Sequence, residues 1–413
     1  MRYAVIAVSI YFKFLFFPTR GEEKCLSSST GTLNYFQTDY DYRIRPHLNA
    51  QGPLLINVSL WIYSIGPISE ADMSFRMDFY FTQDWQDDRV YFIDKICNGS
   101  REEYAFPKAP VLPSIWRPDT YFPSALDSQL HDSPTPNVAM WVSGYGKVSY
   151  GVRMTLVSKC HMQFHYFPFD IQSCTVSMLS YANDKNEVEY RWSNDKGIHI
   201  EDISIAQFSL ITHKKNETRT IYHHGEYSSL SLTLVFKRHV GYYLIQTIIP
   251  SILCVGLSWV SFWIKRDATP ARASLGITTV LAVVTLIASD SWSLPRISTI
   301  KAIEVYLFIC LLFVFGALIE FSAVCYFNKP RYDFKKQAEE NYAMVDINDT
   351  TNIIDKEERT NKSKMQFAGF DVGKIDVCSR IGFPLVFALI NLIYWASYMS
   401  ITAYSANKHI NAD

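Results

Sequence analysis

The apolar positions of this chain change their period at about residue 240. Before it they alternate with polar positions in short runs, such as Leu54–Tyr63, Ser74–Phe81, Val148–Val157 and Leu230–Phe236, with turn residues between them. Alternation predicts strands with one face buried, and no helical period competes over residues 22–240. Several such strands in succession predict a β-sandwich. Beyond residue 240 the apolar runs become continuous. Tyr242–Ile264, Ala271–Ser289, Ile300–Phe327 and Ile381–Tyr404 are each long enough to predict a membrane-crossing helix. The expected fold class is an extracellular all-β sandwich followed by a four-helix transmembrane bundle.

At the amino terminus, Arg2 precedes an almost wholly apolar run, Tyr3–Phe17, which reads as a secretory signal within residues 1–21. Lys13 interrupts that run, and an uncleaved anchor is the alternative. The expected domains are the signal, an extracellular sandwich over 22–240, helices one to three over 241–327, a cytoplasmic loop over 328–374, and a fourth helix with a short outer tail over 375–413. The loop is polar with little periodicity, so it reads as mostly disordered. Lys329, Arg331, Lys335 and Lys336 place it inside. Four spans then put both termini outside, in a multi-pass plasma-membrane topology.

The second apolar run, with a pore helix at about 271–291, carries a further pattern. Ser274, Thr278, Leu281, Thr285 and Ala288 are spaced by 4, 3, 4 and 3 residues and share one helical face. A hydroxyl stripe suits a helix that lines water; the other reading is a packed helix whose Ser and Thr bond back to its own carbonyls. Arg272 sits at the inner end, preceded by Ala271, with no carboxylate beside it. Rings of side-chain charge set ion sign in channels. The expectation is an anion pore lined by Ala271, Arg272, Ser274, Thr278, Leu281 and Thr285, although Arg272 could instead snorkel to lipid headgroups. Asp290, near the outer end, opposes an anion if it faces the axis, and Arg296 and Lys301 could offset it.

Composition narrows the classes. The 39 basic and 40 acidic residues leave a net charge of -1, so nucleic acid is not an expected partner. No nucleophile–base constellation, phosphate loop or catalytic metal motif stands out, so neither an enzyme nor a cofactor is expected. Cys25, Cys97, Cys160 and Cys174 precede the membrane region, and an even number there suggests disulfides. Cys254, Cys310, Cys325 and Cys378 lie in or beside apolar runs and read as thiols. Asn57, Asn98 and Asn216 are glycosylation acceptors on the outer side.

Cys160 and Cys174 enclose thirteen residues with the core Phe167-Pro168-Phe169-Asp170. This segment resembles the signature loop of the Cys-loop pentameric ligand-gated ion channels. Trp85-Gln86-Asp87-Asp88-Arg89, Trp116-Arg117-Pro118-Asp119, Ser258–Ile264, Ser293-Leu294-Pro295 and Ser379–Pro384 resemble further family segments in the same order. Ala271 after Pro270, where cation-selective members usually have a glutamate, resembles the inhibitory, chloride-conducting branch. The resemblance implies a Cys160–Cys174 disulfide and a homo- or hetero-pentamer, with four further identical or related subunits as partners. It also implies a central chloride pore gated at Leu281 and a small-molecule agonist at the subunit interfaces. Phe167, Pro168, Phe169 and Asp170, together with Arg238 and the Pro295 loop, would couple the site to the pore.

The same resemblance assigns Tyr121, Tyr181, Tyr222 and Tyr227 to the principal face of the agonist site. Tyr80, Thr82 and Arg153 fall to the complementary face. Aromatic faces attract a ligand cation. Two positions depart from the amino-acid-gated relatives: Leu179 stands where some have glutamate, and Thr82 where they have arginine. The segment Tyr222-His223-His224-Gly225-Glu226-Tyr227 adds His223, His224 and Glu226 as a candidate zinc or proton sensor. The alternatives are therefore a channel gated by zinc or protons, or an accessory subunit that needs a partner to bind agonist.

Overall fold

The computed structural model describes residues 40–47, 52–90, 104–105, 114–143, 146–194, 197–265, 268–290, 299–342 and 372–411. It gives backbone only at 104–105, 290, 327–342, 372–375 and 409–411. Several expectations fall outside the described residues: the signal segment, Cys25, Cys97, Asn98, the 291–298 segment with Pro295 and Arg296, and residues 343–371.

The amino-terminal unit is built from strands, as the alternation predicts. One sheet contains β1 (Leu54–Ser69), β2 (Ser74–Gln86), β3 (Tyr104–Ala105), β5 (Ala125–Leu130), β6 (Val138–Ser143), β7 (Lys147–Lys159), β9 (Val188–Trp192) and β10 (Ile198–Ile200). The other runs β11 (Phe208–Tyr222), β12 (Gly225–Arg238), β8 (Ile171–Ser180) and β4 (Thr120–Tyr121). Residues of one parity in β1, including Leu54, Ile56, Val58, Leu60 and Ile62, are at most 2% exposed. They meet Leu230, Leu232, Leu234 and Phe236 of β12 in a single core. β11 and β12 form a hairpin joined by His223 and His224, with Tyr222 paired to Gly225. Gly225 has φ +151°, a region open to glycine at little cost.

Four helices follow: α1 (Gly241–Trp263), α2 (Thr269–Asp290), α3 (Ala302–Tyr342) and α4 (Val372–Asn411). Each contains a stretch apolar and long enough to span a bilayer. Pro250 of α1 has no N–H to donate, and the helix widens to a π turn over Leu244–Ile248 just before it. Pro270 lies in the first turn of α2, where no intrahelical donor is needed. The bundle core is Ile248, Val255, Val283, Tyr306, Val314 and Phe387. It is pinned by Tyr306 Oη donating to Asn391 Oδ1 (3.0 Å) and Tyr394 Oη donating to the Ala302 carbonyl (3.2 Å). α4 is the least buried of the four, as expected for the helix at the lipid edge.

The third apolar span is Ala302–Tyr326, and residues 328–342, within the segment read from sequence as mostly disordered, continue α3 without a break. The Lys335–Glu340 stretch is rich in helix-favouring Lys, Gln, Ala and Glu, and an existing helix extends without a new nucleation cost.

Candidate functional site

The four tyrosines assigned to one face of the site do converge. Tyr121 closes β4, Tyr181 follows β8, and Tyr222 and Tyr227 flank the β11–β12 turn. β4 and β8 pair directly, Tyr121 opposite Leu179. The rings of Tyr121 and Tyr181 meet edge to face at 5.3 Å, and those of Tyr222 and Tyr227 at 5.7 Å. Burial, followed by the phenol of Tyr222 hydrogen-bonded to it, pushes the Tyr121 hydroxyl up to about 12. Tyr181 stays 74% exposed, so the box is open on one side. Leu179 is buried, and as the cross-strand partner of Tyr121 it lies on the same face of the sheet as the box.

Tyr80, Thr82 and Arg153 share the outer face of the other sheet, where Tyr80 pairs with Arg153 and Thr82 with Gly151. A Cβ at Gly151 would lie 2.1 Å from the Tyr80 hydroxyl, so only glycine lets that ring cross β7. Burial, then the neighbouring Tyr63 and Tyr150, raises the Tyr80 phenol to about 12. Arg153 is already engaged: it donates to Asp78 at 3.3 and 2.6 Å, and its guanidinium lies 5.0 Å from the Tyr63 ring. His131 also approaches Asp78, at 3.5 Å. The sequence reading missed Asp78, although its parity with Tyr80 and Thr82 on β2 places it on their face.

His223 and His224 form the exposed hairpin turn. Glu226 is held near Arg219 (3.4 Å) and Lys185 (3.9 Å). Among the described residues no group of three or more His, Cys, Asp or Glu could hold a metal ion. Within this chain His223, His224 and Glu226 do not gather around one point: the turn holds the imidazoles out, and Glu226 faces its basic neighbours. Asn57 and Asn216 are both exposed.

α2 divides into two faces. Ala271, Ser274, Thr278, Leu281, Thr285 and Ala288 are exposed by this chain's own bundle, while Gly276, Thr279 and Val283 are buried against it. The hydroxyls of Thr278 and Thr285 also donate to the carbonyls of Ser274 (2.8 Å) and Ala282 (2.7 Å). The stripe thus lies on a face that this chain leaves open, with hydroxyls bonded back to the helix's own carbonyls. Arg272 departs from the expectation. It is 1% exposed, donates to the Ile264 carbonyl at 3.1 and 2.6 Å, and pairs with Asp376 of α4 at 3.5 Å. Its register puts it on the buried face, two residues before Ser274, so it does not present its charge on the open side. Lys301 likewise is buried and pairs with Glu304 at 3.3 Å.

Between box and bundle lies the loop closed by the Cys160–Cys174 disulfide. Asp170 accepts from Arg238 Nε (2.7 Å) and Nη2 (3.0 Å), and Glu70 accepts from Nη1. The guanidinium lies within 4.7 Å of the Phe167 ring and 4.5 Å of Phe208. Burial works against the Arg238 charge, but Asp170 and Glu70 outweigh it and raise its pKa. The loop then meets the membrane helices. The His165 and Phe167 carbonyls accept from the backbone N–H groups of Ala302 and Ile303, both at 3.1 Å. The Phe169 carbonyl accepts from Thr402 Oγ1 (3.1 Å), and its ring packs on Trp395 and Tyr398. These contacts with α3 and α4 were not foreseen from sequence.

Comparison with known proteins agrees with this geometry. The family model for the neurotransmitter-gated ion-channel ligand binding domain matches residues 29–240, and that for the transmembrane region matches residues 247–366. A gamma-aminobutyric acid receptor subunit beta-like protein of Drosophila melanogaster is 39% identical over 73% of this chain, which spans 62% of that relative's length. The gamma-3 subunit of the mouse gamma-aminobutyric acid receptor is 31% identical over 89% of each chain. The human gamma-1 subunit is 33% identical over 90% of this chain and 86% of its own. With both domain models matched in order and relatives above 30% identity along most of its length, the chain belongs to the neurotransmitter-gated ion-channel family, in its inhibitory Cys-loop branch.

Proposed function

We propose that this chain is a subunit of a ligand-gated chloride channel of the plasma membrane, five subunits surrounding a pore lined by the open face of α2. The observation that carries the reading is the division of α2: Ala271, Ser274, Thr278, Leu281 and Thr285 on the open face, with no carboxylate among them, and Arg272 on the buried one. Anion preference then comes from two features. Ala271 leaves the inner mouth without a negative ring. The amino-terminal end of α2, which carries the positive pole of the helix dipole, faces that mouth. Leu281, 61% exposed, forms the hydrophobic constriction that dewets the closed pore.

The tyrosine box forms the principal face of an agonist site, and the Tyr80–Thr82–Arg153 surface of the neighbouring subunit forms the complementary face. Closing the β11–β12 hairpin over an agonist shifts the population toward the open state, through Phe167–Asp170 and Arg238 to α3 and α4. The test is whole-cell current from the expressed chain, with reversal potential followed as external chloride is replaced. A reversal potential that tracks chloride is expected; one that tracks sodium or potassium would sink the reading.

A further inference from the structure

We propose that the tyrosine box takes a small organic cation bearing an alkylated ammonium group and no carboxylate. This rests on the reading of the box as the agonist site and narrows what it accepts.

A primary ammonium carries three N–H donors and is costly to desolvate unless acceptors replace its water. The carboxylates that border the box are committed elsewhere. Asp119 accepts from Ser180 Oγ (2.6 Å), the Ala182 N–H (2.6 Å) and Asn183 Nδ2 (2.9 Å). Asp184 accepts from the N–H groups of Asn186 (2.9 Å) and Glu187 (3.1 Å). Glu226 faces Arg219 and Lys185. Position 179, two residues before Tyr181 and directly opposite Tyr121, is a buried leucine that brings no acceptor to the box. The box therefore offers ring faces and neutral phenols. An ammonium clothed in methyl groups has few or no donors to satisfy, and ring faces suffice to hold its diffuse charge.

The opposite surface points the same way. Arg153 is the guanidinium that would receive a ligand carboxylate, and Asp78 already occupies it through two hydrogen bonds. A ligand acid would have to displace Asp78 and leave that carboxylate without its partner. A ligand lacking an acid leaves the pair intact.

The experiment uses the full chain, surface-expressed, carrying Leu281→Ser so that the pore conducts without agonist. Spontaneous current that follows chloride establishes the channel independently of any ligand. Tetramethylammonium and choline are then compared with γ-aminobutyrate, glycine and glutamate. The methylammoniums are expected to change the current at lower concentration than any amino acid. Tyr181→Ala should weaken them roughly tenfold, and Tyr181→Phe, which keeps the ring, much less. An amino acid acting at lower concentration overturns the proposal. So does silence to the methylammoniums at millimolar concentration, or a response indifferent to Tyr181→Ala. If no chloride-following current appears, the assignment of the gate to Leu281 fails separately, and calorimetric titration of the purified protein with tetramethylammonium decides: saturable heat abolished by Tyr181→Ala supports the proposal, and none overturns it.

Discussion

Arg272 shows how one side chain's register can reverse its reading. In the sequence it stands at a pore mouth; in the fold it is buried and bound to the Ile264 carbonyl and Asp376. Removing one partner of a buried pair typically costs about 3–5 kcal/mol, because the other charge is left uncompensated. Arg272→Gln is therefore expected to lower surface expression sharply, and the current that remains should still reverse with chloride. Surface labelling and reversal potential together check this. Gly151 is a second single-residue constraint. Gly151→Ala would drive a methyl into the Tyr80 phenol, with a cost of about 1–3 kcal/mol typical of overpacking. Thermal unfolding of the purified protein should show the loss, and Tyr80→Ala in the same chain should relieve it. Tyr121 makes a pH statement. Burial disfavours its ionised form, so it titrates near 12 instead of 10.0. Stability from the neutral phenol is complete below 10 and fades as pH rises from there toward 12. Tyrosinate absorbance, wild type against Tyr121→Phe, should show the missing group ionising late.

Among the elements, the disulfide loop is the junction between sandwich and bundle. Its carbonyls at His165 and Phe167 cap the start of α3, and Phe169 sits on α4. α3 begins at Ala302, so its first N–H groups lack intrahelical partners, and the loop supplies acceptors for two of them. Arg238 fastens that loop to β12 through Asp170 and to the β1–β2 turn through Glu70. Arg238→Ala strands two carboxylates, and a loss of about 3–5 kcal/mol is expected. Assembly at the surface should fail, as surface labelling would show. Arg238→Lys should restore part of it, since lysine keeps the charge without the two-pronged geometry.

For the whole molecule, the proposed agonist site on the sandwich and the proposed constriction on α2 must be linked by one change of state. Leu281 shares the open side of α2 with Ser274, Thr278 and Thr285. A ring of serines there would hydrate the closed pore. Leu281→Ser is thus expected to produce chloride current without agonist, read as a standing conductance that a pore blocker removes. An unchanged, silent baseline with normal surface expression would place the gate elsewhere.

The periods of the apolar residues by themselves determined the two domains and the four spans, because burying one strand face or crossing a bilayer demands a fixed repeat. The motif around Cys160 and Cys174 was enough for the family, and the spacing of Ser274, Thr278, Leu281 and Thr285 was enough for the open face of α2. Neighbours distant in sequence decided the rest. Nothing beside Arg272 announces Asp376, 104 residues away, so burial of that charge became visible only once α4 packed on the bundle. The pairing of Arg153 with Asp78 depended on the register of β2 against β7. The extent of α3 depended on propagation from a helix already formed. Local pattern fixes which face of an element is apolar. Which charge meets which is settled by packing, since a buried ion is tolerated only where the fold brings it a partner.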